Sequence, residues 1–432
     1  MTDSAAASPQ TKLSKNRNFL LFWIGQSISV MGSQISGLAF PVLAVTILGA
    51  TEWQMGVLNA ADSAAFLVVG LPAGALIDRM IKRRVMLAAD LVRLLCLGAI
   101  PALYFTGMLQ MWHLIVLGTI AGIATVFFDV SYQSFVPLIL KGEQISTGNA
   151  RLETTSQISG LAGPAAVGWL LSLVKAPLMM VFDAFSYGVS ALSLAFVKSE
   201  EVRKPVEERE PLRKEIRDGI AFVLKERLIF RIACTTSTTN LFSTGLFTLL
   251  PLYLLRDLHL SVVIYGLLGT AAGIGGLLGS LATPKLTARI GEGTLIVLSA
   301  VLSGLAPFAF ASVGAIAPAW QAPWLMGVEV LQSFFILTYN ITQVSARQRL
   351  CPPELLGRMN ASIRFFVWGV MPISSLLSGA IASRIGILPT LWIAATGASL
   401  ACLFVVFSPL TRMRKLPDGP AGTQPSETEE SH

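Results

Sequence analysis

The sequence predicts an all-α membrane protein of twelve transmembrane helices. Of 432 residues, 53% are hydrophobic and only 13% charged, against roughly 25% charged in an ordinary soluble domain. Apolar stretches of the roughly 20 residues that a membrane-crossing helix needs recur from Phe19 to Pro409, separated by short polar breaks. One longer, highly charged break divides these stretches six and six, which predicts two helical bundles.

The chain opens with a polar tail over residues 1–18 that carries Lys12, Lys15 and Arg17. The apolar run that follows ends without a small-residue cleavage site, so it is expected to be an uncleaved first span. The spans of the N-terminal bundle (19–197) are predicted at 19–48, 54–77, 85–106, 112–136, 151–174 and 178–197. Those of the C-terminal bundle (229–409) are predicted at 229–254, 262–283, 294–313, 324–344, 360–383 and 389–409. In the linker between them, 198–228, Ile216, Ile220, Val223 and Leu224 recur at helical spacing beside charged residues, as in an amphipathic helix lying at a membrane surface. The tail 410–432 is expected in the cytoplasm; from Pro417 it is rich in Pro, Gly, Ser and Glu and is expected to be disordered.

With the N-terminus placed in the cytoplasm, the only Lys and Arg residues that fall in outer loops are Lys175, Arg256 and Arg384. That asymmetry follows the positive-inside rule and predicts an inner or plasma membrane protein with both termini cytoplasmic. It also accounts for the net charge of +7, so nucleic acid is not expected as a partner. The four cysteines, Cys96, Cys234, Cys351 and Cys402, form no CxxC pair, which argues against a disulfide framework or a zinc site.

The halves repeat weakly. EQISTGNA from Glu143 is echoed by ELLGRMNA from Glu354, and GALIDRMIKRR from Gly74 by GSLATPKLTAR from Gly279. Parallel six-span repeats of this kind are built into one class of secondary transporters.

On these residues the chain resembles the major facilitator superfamily. GALIDRMIKRR, with Gly74, Asp78, Arg79, Lys82 and Arg83, matches that superfamily's loop between spans two and three, departing at Ile81 and Lys82. SGLAGPAAVGW looks like the Gly-Pro motif of its antiporters at Gly163, Pro164 and Gly168, with Ser159 and Val167 in place of glycines. FFDVSYQSFVPLI and DLVR are similar to a branch of twelve-span drug:proton antiporters that includes macrolide and enterobactin exporters. The membrane arginine that many drug antiporters carry in span four is absent, with Gly118 at that place. The resemblance implies the major facilitator fold, a Gly-Pro motif that helps to seal one side of a transporter, and no cofactor.

Ionisable groups inside spans are expensive and are functional candidates by default. Asp62 lies eight residues into span two, about 12 Å from its outer end, with Asn59 on the same face; it is a candidate proton or cation site, the alternative being an inter-helix hydrogen-bonding lock. Asp90 and Arg93 are spaced to pair on one face. With Asp129 and with Gly74, Asp78, Arg79, Lys82 and Arg83 of the loop motif they are expected to form a gating cluster at the inner ends of the first six spans. Asp183 and Glu329, about 8 to 9 Å from their outer ends, are expected to reach the outer interface rather than to meet a cationic substrate. Gln26, Gln34, Asn240, Gln332, Asn340 and Tyr339 are candidate cavity residues.

GTAAGIGGLLGS in span eight has stacked small-residue spacings that let helix backbones approach. It lacks the preceding strand and following Lys-Ser/Thr of a phosphate-binding loop. No constellation of catalytic residues is visible, so the protein is expected not to be an enzyme. The expected partners are a small-molecule substrate, protons and the lipid bilayer, and a monomer is expected. Two alternatives stay open: an uptake symporter of the same fold, and a non-transporting membrane sensor or scaffold.

Overall fold

The computed structural model describes residues 13, 16–77, 80–140, 144–198, 212–352 and 355–415. Among them all regular structure is helical. In chain order the helices are α1 (Arg17–Val42), α2 (Glu52–Ile77), α3 (Lys82–Phe105), α4 (Met111–Ile139), α5 (Gln144–Leu173), α6 (Ala176–Phe196) and α7 (Leu212–Lys225). Then follow α8 (Arg227–Pro251), α9 (Val262–Ile290), α10 (Glu292–Ala311), α11 (Pro318–Leu350), α12 (Leu356–Ile385), α13 (Ile387–Leu400) and the short α14 (Leu403–Val406). Ten helical segments among the described residues are long and apolar enough to cross a membrane. α2 and α5, of 26 and 30 residues, are the other two long helices, in keeping with the expected twelve. The described part of the linker is α7, as its periodicity predicts; most of both terminal tails lies outside the described residues.

Large apolar side chains such as Leu95, Phe185 and Leu281 stand exposed along these helices. In water such surfaces would drive association; in a bilayer they are the wetted face. Helices suit that solvent because each satisfies its own backbone hydrogen bonds, which hydrocarbon cannot do.

The chain forms two compact units. The first comprises residues 1–40, 68–163 and 173–205, and the second residues 41–67, 164–172 and 206–432. In the first, α3 packs on α4 and α6, around a core that includes Phe19, Phe22, Met86, Phe128, Phe135 and Leu194. Phe22 meets Phe135 edge to face, with ring centroids 5.5 Å apart, a favoured arrangement for aromatic pairs. In the second unit α9 packs on α11, α8 on α12 and α13, and α10 on α11 and α13. Ile229, Ile232, Ile296, Leu350, Met359 and Ile363 belong to its core.

The structure adds a repeat feature that the motifs did not reveal. α1 contains Pro41 and continues as a π-helical turn at Leu43–Ile47; α8 ends at Pro251 and continues as a π-helical turn at Leu252–Asp257. A proline removes one backbone donor and crowds the preceding turn, and a widened π turn is one way for a helix to absorb that disruption. The two π turns touch one another within the second unit.

Tight packing in this unit uses glycines. A Cβ at Gly275 of α9 would lie 2.2 Å from the carbonyl oxygen of Val330 on α11, and one at Gly279 would lie 2.6 Å from that of Phe334. The helices therefore approach backbone to backbone, as the small-residue spacing of α9 predicts. Gly275→Val is expected to force them apart and to destabilise the protein by about 1–3 kcal/mol. Gly276→Ala, whose new carbon would meet only Leu337 Cδ2 at 3.6 Å, is expected to be tolerated. Thermal unfolding of the two variants in detergent checks the contrast.

Candidate functional site

In the first unit, α3 and α6 share a buried polar network. Asp90 and Arg93, one helical turn apart on α3, form an ion pair in which Asp90 is 0% and Arg93 4% exposed. The guanidinium carbon lies 4.3 Å from the centroid of the Phe128 ring on α4 and 4.2 Å from that of Tyr187 on α6. Arginine suits this sandwich because its planar, weakly hydrated cation stacks on aromatic faces.

A second carboxylate belongs to the same network. Asp183 of α6 is 0% exposed; it accepts hydrogen bonds from Ser36 of α1 and from Ser186 at 3.0 Å. The charge of Arg93 acts on it and on Asp129 of α4. Ser190, one turn beyond Ser186 on α6, is buried on the same face, and Ser33 of α1 shares a 3.0 Å hydrogen bond with the Tyr187 hydroxyl. Gly32 makes room for the approach, since a Cβ there would lie 2.5 Å from Asp183 Oδ1. Two fully buried carboxylates thus lie in the field of one guanidinium, of which Asp90 alone pairs with it, while Asp90 Oδ2 and Arg93 Nε have no hydrogen-bond partner among the described residues. Such a network can hold or release a proton, because one cation compensates only one of the two carboxylates.

The expected inner-end gating cluster therefore divides. Arg83, ten residues and about 15 Å along α3 from Arg93, instead donates to the carbonyls of Leu194 and Ala195 at the C-terminal end of α6, at 2.9 and 2.6 Å. Lys82 opens the same helix. Gly74 falls in α2, while Asp78 and Arg79 lie outside the described residues. Asp183 and Glu329, expected at the outer interface, are both buried. Sequence reasoning missed Asp183, Ser186, Tyr187 and Ser190 as a group, although their spacing of 3, 4 and 7 residues marks one face of α6.

Asp62 lies ten residues into α2, about 15 Å along it. Its side chain is exposed, with no hydrogen-bond partner among the described residues. Asn59, one turn earlier, donates to its own helix at Met55. Of the expected cavity residues, Gln26 keeps a buried side-chain oxygen without a partner, and Gln34 packs against Gly163. Asn240 donates to the Val367 carbonyl on α12 at 3.0 Å, Tyr339 is buried against Thr236 at 2.9 Å, and Asn340 is exposed. Asn240 and Tyr339 thus spend their polar groups on helix packing.

Within the second unit, two sequence features that seemed separate meet. Pro164 of the Gly-Pro motif packs its ring where a Cβ on Gly269 of α9 would sit, 2.6 Å away, and Gly168 lies against Gly266. The Ala165 N–H, beside the proline, donates to Thr270 at 3.1 Å. In the same unit, Gly56 of α2 faces Gly379 of α12, where a Cβ would lie 3.1 Å from the glycine Cα. The N-terminal residue of α2, Glu52, pairs with Arg256 at 2.5 Å. Partial burial alone would raise the Glu52 carboxyl, but the hydrogen bond and charge of Arg256 and the helix N-terminus hold it below the ordinary value.

The sequence profile described as Major Facilitator Superfamily matches residues 22–374. Macrolide efflux protein A of Streptococcus pyogenes is 24% identical over 92% of this chain and 97% of its own length. The multidrug efflux pump Tap of Mycobacterium tuberculosis is 24% identical over 90% and 92%, and the enterobactin exporter EntS of Citrobacter koseri 24% over 79% and 80%. Among solved structures, a bacterial homologue of the iron transporter ferroportin in an inward-facing state aligns with a TM-score of 0.73 at 15% identity, over 92% of this chain and 99% of that one. The nucleoside transporter NupG aligns with a TM-score of 0.70 at 13% identity, over 90% and 98%.

Arg93→Leu leaves two buried carboxylates without their cation and is expected to destabilise the protein by about 3–5 kcal/mol, with partial recovery when Asp183→Asn is added; thermal unfolding of the single and double variants reads this out. Because the folded-state value of Glu52 is depressed, its contribution is present above the ordinary carboxylate value of 4.5 and is lost as pH falls through the folded value. For so exposed a pair it is expected to be below about 1 kcal/mol, and Glu52→Gln should remove that acid-side dependence in melts taken from neutral to acid pH.

Proposed function

The chain belongs to the major facilitator superfamily, and from that membership we propose that it is a secondary active exporter of amphipathic small molecules, driven by proton antiport through alternating access. The membrane is the cell membrane, inner or plasma, with both termini cytoplasmic. The carrying observation is Asp62, a carboxylate exposed near the middle of α2. An ionised side chain at that depth is expensive against lipid, so its exposed face belongs to a water-filled path. Asp62 is the first candidate for the coupling proton, with Asn59 beside it.

The Asp90–Arg93–Asp183 network is the second candidate, a latch whose two carboxylates compete for one cation and whose balance changes when a proton binds. The relatives named as macrolide, multidrug and enterobactin exporters support export and point to bulky drugs, antibiotics or siderophore-like metabolites as the substrate class. The Gly-Pro contact between α5 and α9 supports a close seal on one side, since backbone-to-backbone packing leaves no room for solvent.

Cells expressing the protein are expected to accumulate less of a fluorescent cationic dye than control cells. Addition of a protonophore, or the change Asp62→Asn, is expected to bring accumulation back to the control level. Export that survives Asp62→Asn removes this residue from the mechanism. Greater accumulation in expressing cells, abolished by the protonophore, would instead identify an uptake symporter.

A further inference from the structure

Glu329 stands outside the network described above and has a different problem. It lies eleven residues into α11, about 17 Å along the axis, and is 8% exposed. Its hydrogen bond comes from the Ser333 hydroxyl, one turn further on, at 3.3 Å. No Lys, Arg or His among the described residues lies within ion-pair reach of it. Gln332, three residues on and so on the same face, is 2% exposed, and its side-chain oxygen has no donor.

The titratable group facing Glu329 from the helices packed on α11 is Tyr265 of α9. Lys285 and Arg289 lie twenty or more residues further along α9, about 30 Å away. Glu292 of α10 pairs with Arg349 at the far end of α11. Arg227 and Arg231 of α8 lie beyond Thr236, which is touched by Tyr339, ten residues along α11 from Glu329. A buried carboxylate whose hydrogen bond comes from a neutral hydroxyl and that has no cation, and a buried amide oxygen that has no donor, thus lie on one helix face. A buried ionised carboxylate without a cation is unfavourable, and so is a buried amide oxygen without a hydrogen bond. One positively charged donor placed between them resolves both.

We propose that Glu329 and Gln332 form a proton-binding site in the second unit. The proton arrives either free, carried on the Glu329 carboxyl and donated to Gln332 Oε1, or on the protonated amine of a substrate. Its role in export rests on the proposed function, but its existence does not.

The test uses the purified full-length protein in lipid nanodiscs, treated with dicyclohexylcarbodiimide between roughly pH 5 and pH 9. The reagent adds a protonated carboxyl across one of its C=N bonds: the carboxyl oxygen bonds to the central carbon and the proton moves to nitrogen. Adducts are mapped by mass spectrometry. An adduct on Glu329 at neutral pH, falling several-fold toward alkaline pH, is the expected result. Gln332→Leu is expected to lower labelling several-fold at neutral pH by removing the acceptor, and Glu329→Gln to abolish it without changing elution or melting. Glu329→Asp, which keeps a carboxyl, controls for folding.

Suppression of the adduct by a lipophilic tertiary amine, but not by its neutral analogue, assigns the proton to a substrate amine; labelling indifferent to both assigns it to the free proton. No Glu329 adduct at any pH, while other membrane carboxylates label in acid, overturns the proposal. Because labelling needs no transport, that failure is distinct from a failure of the exporter reading.

Discussion

A polar group in hydrocarbon finds no partner except another part of the protein, and most of the internal organisation of this chain follows from that constraint. Helices satisfy their own backbones. Side-chain hydroxyls such as Ser27, Thr119 and Thr342 donate to carbonyls one turn back on their own helix. In the first unit the buried charged groups Asp90, Arg93 and Asp183 are gathered between α3 and α6, where Arg93 lies between two aromatic rings and against Asp90.

Helix association in a bilayer gains little from hydrophobicity and depends on close packing and inter-helix hydrogen bonds. Both are visible in the second unit. Gly275 and Gly279 bring α9 onto α11, and Gly168 and Gly266 bring α5 onto α9; at the latter contact the Ala165 N–H, next to Pro164, bonds Thr270. Where turns between long helices are tightest, Gly291 and Gly386 adopt φ of +89° and +90°, a region closed to residues with a side chain except at the cost of strain. The same residue type thus serves two physical ends, close approach and chain reversal.

The three carboxylate settings differ in a way that matters for coupling. Asp62 is exposed in mid-helix, Asp183 is buried among serine hydroxyls within the field of Arg93, and Glu329 is buried with no cation among the described residues. Charge movement through a membrane protein needs groups whose ionised state is neither always favourable nor always forbidden. Exposure, the field of a nearby cation and isolation are three ways to reach that balance.

Membrane class, helix positions and the amphipathic α7 were legible in the chain, because hydropathy and the 3.6-residue period are local properties and the solvent reads them directly. So were the pairing of Asp90 with Arg93, which are neighbours on one helix, and the Gly-Pro motif. Tertiary structure decided the rest. Asp183 joins Arg93 although their depths, counted from opposite ends of their helices, seemed to separate them; helix tilt and real helix length are not written in a span prediction. Asn240 and Tyr339 turned out to be packing groups, and Asp62 an exposed one, because which face of an apolar helix meets a neighbour is set by the neighbours. A helix apolar all round carries almost no signal for its own orientation, so the faces, and with them the polar sites, exist only once the helices have packed.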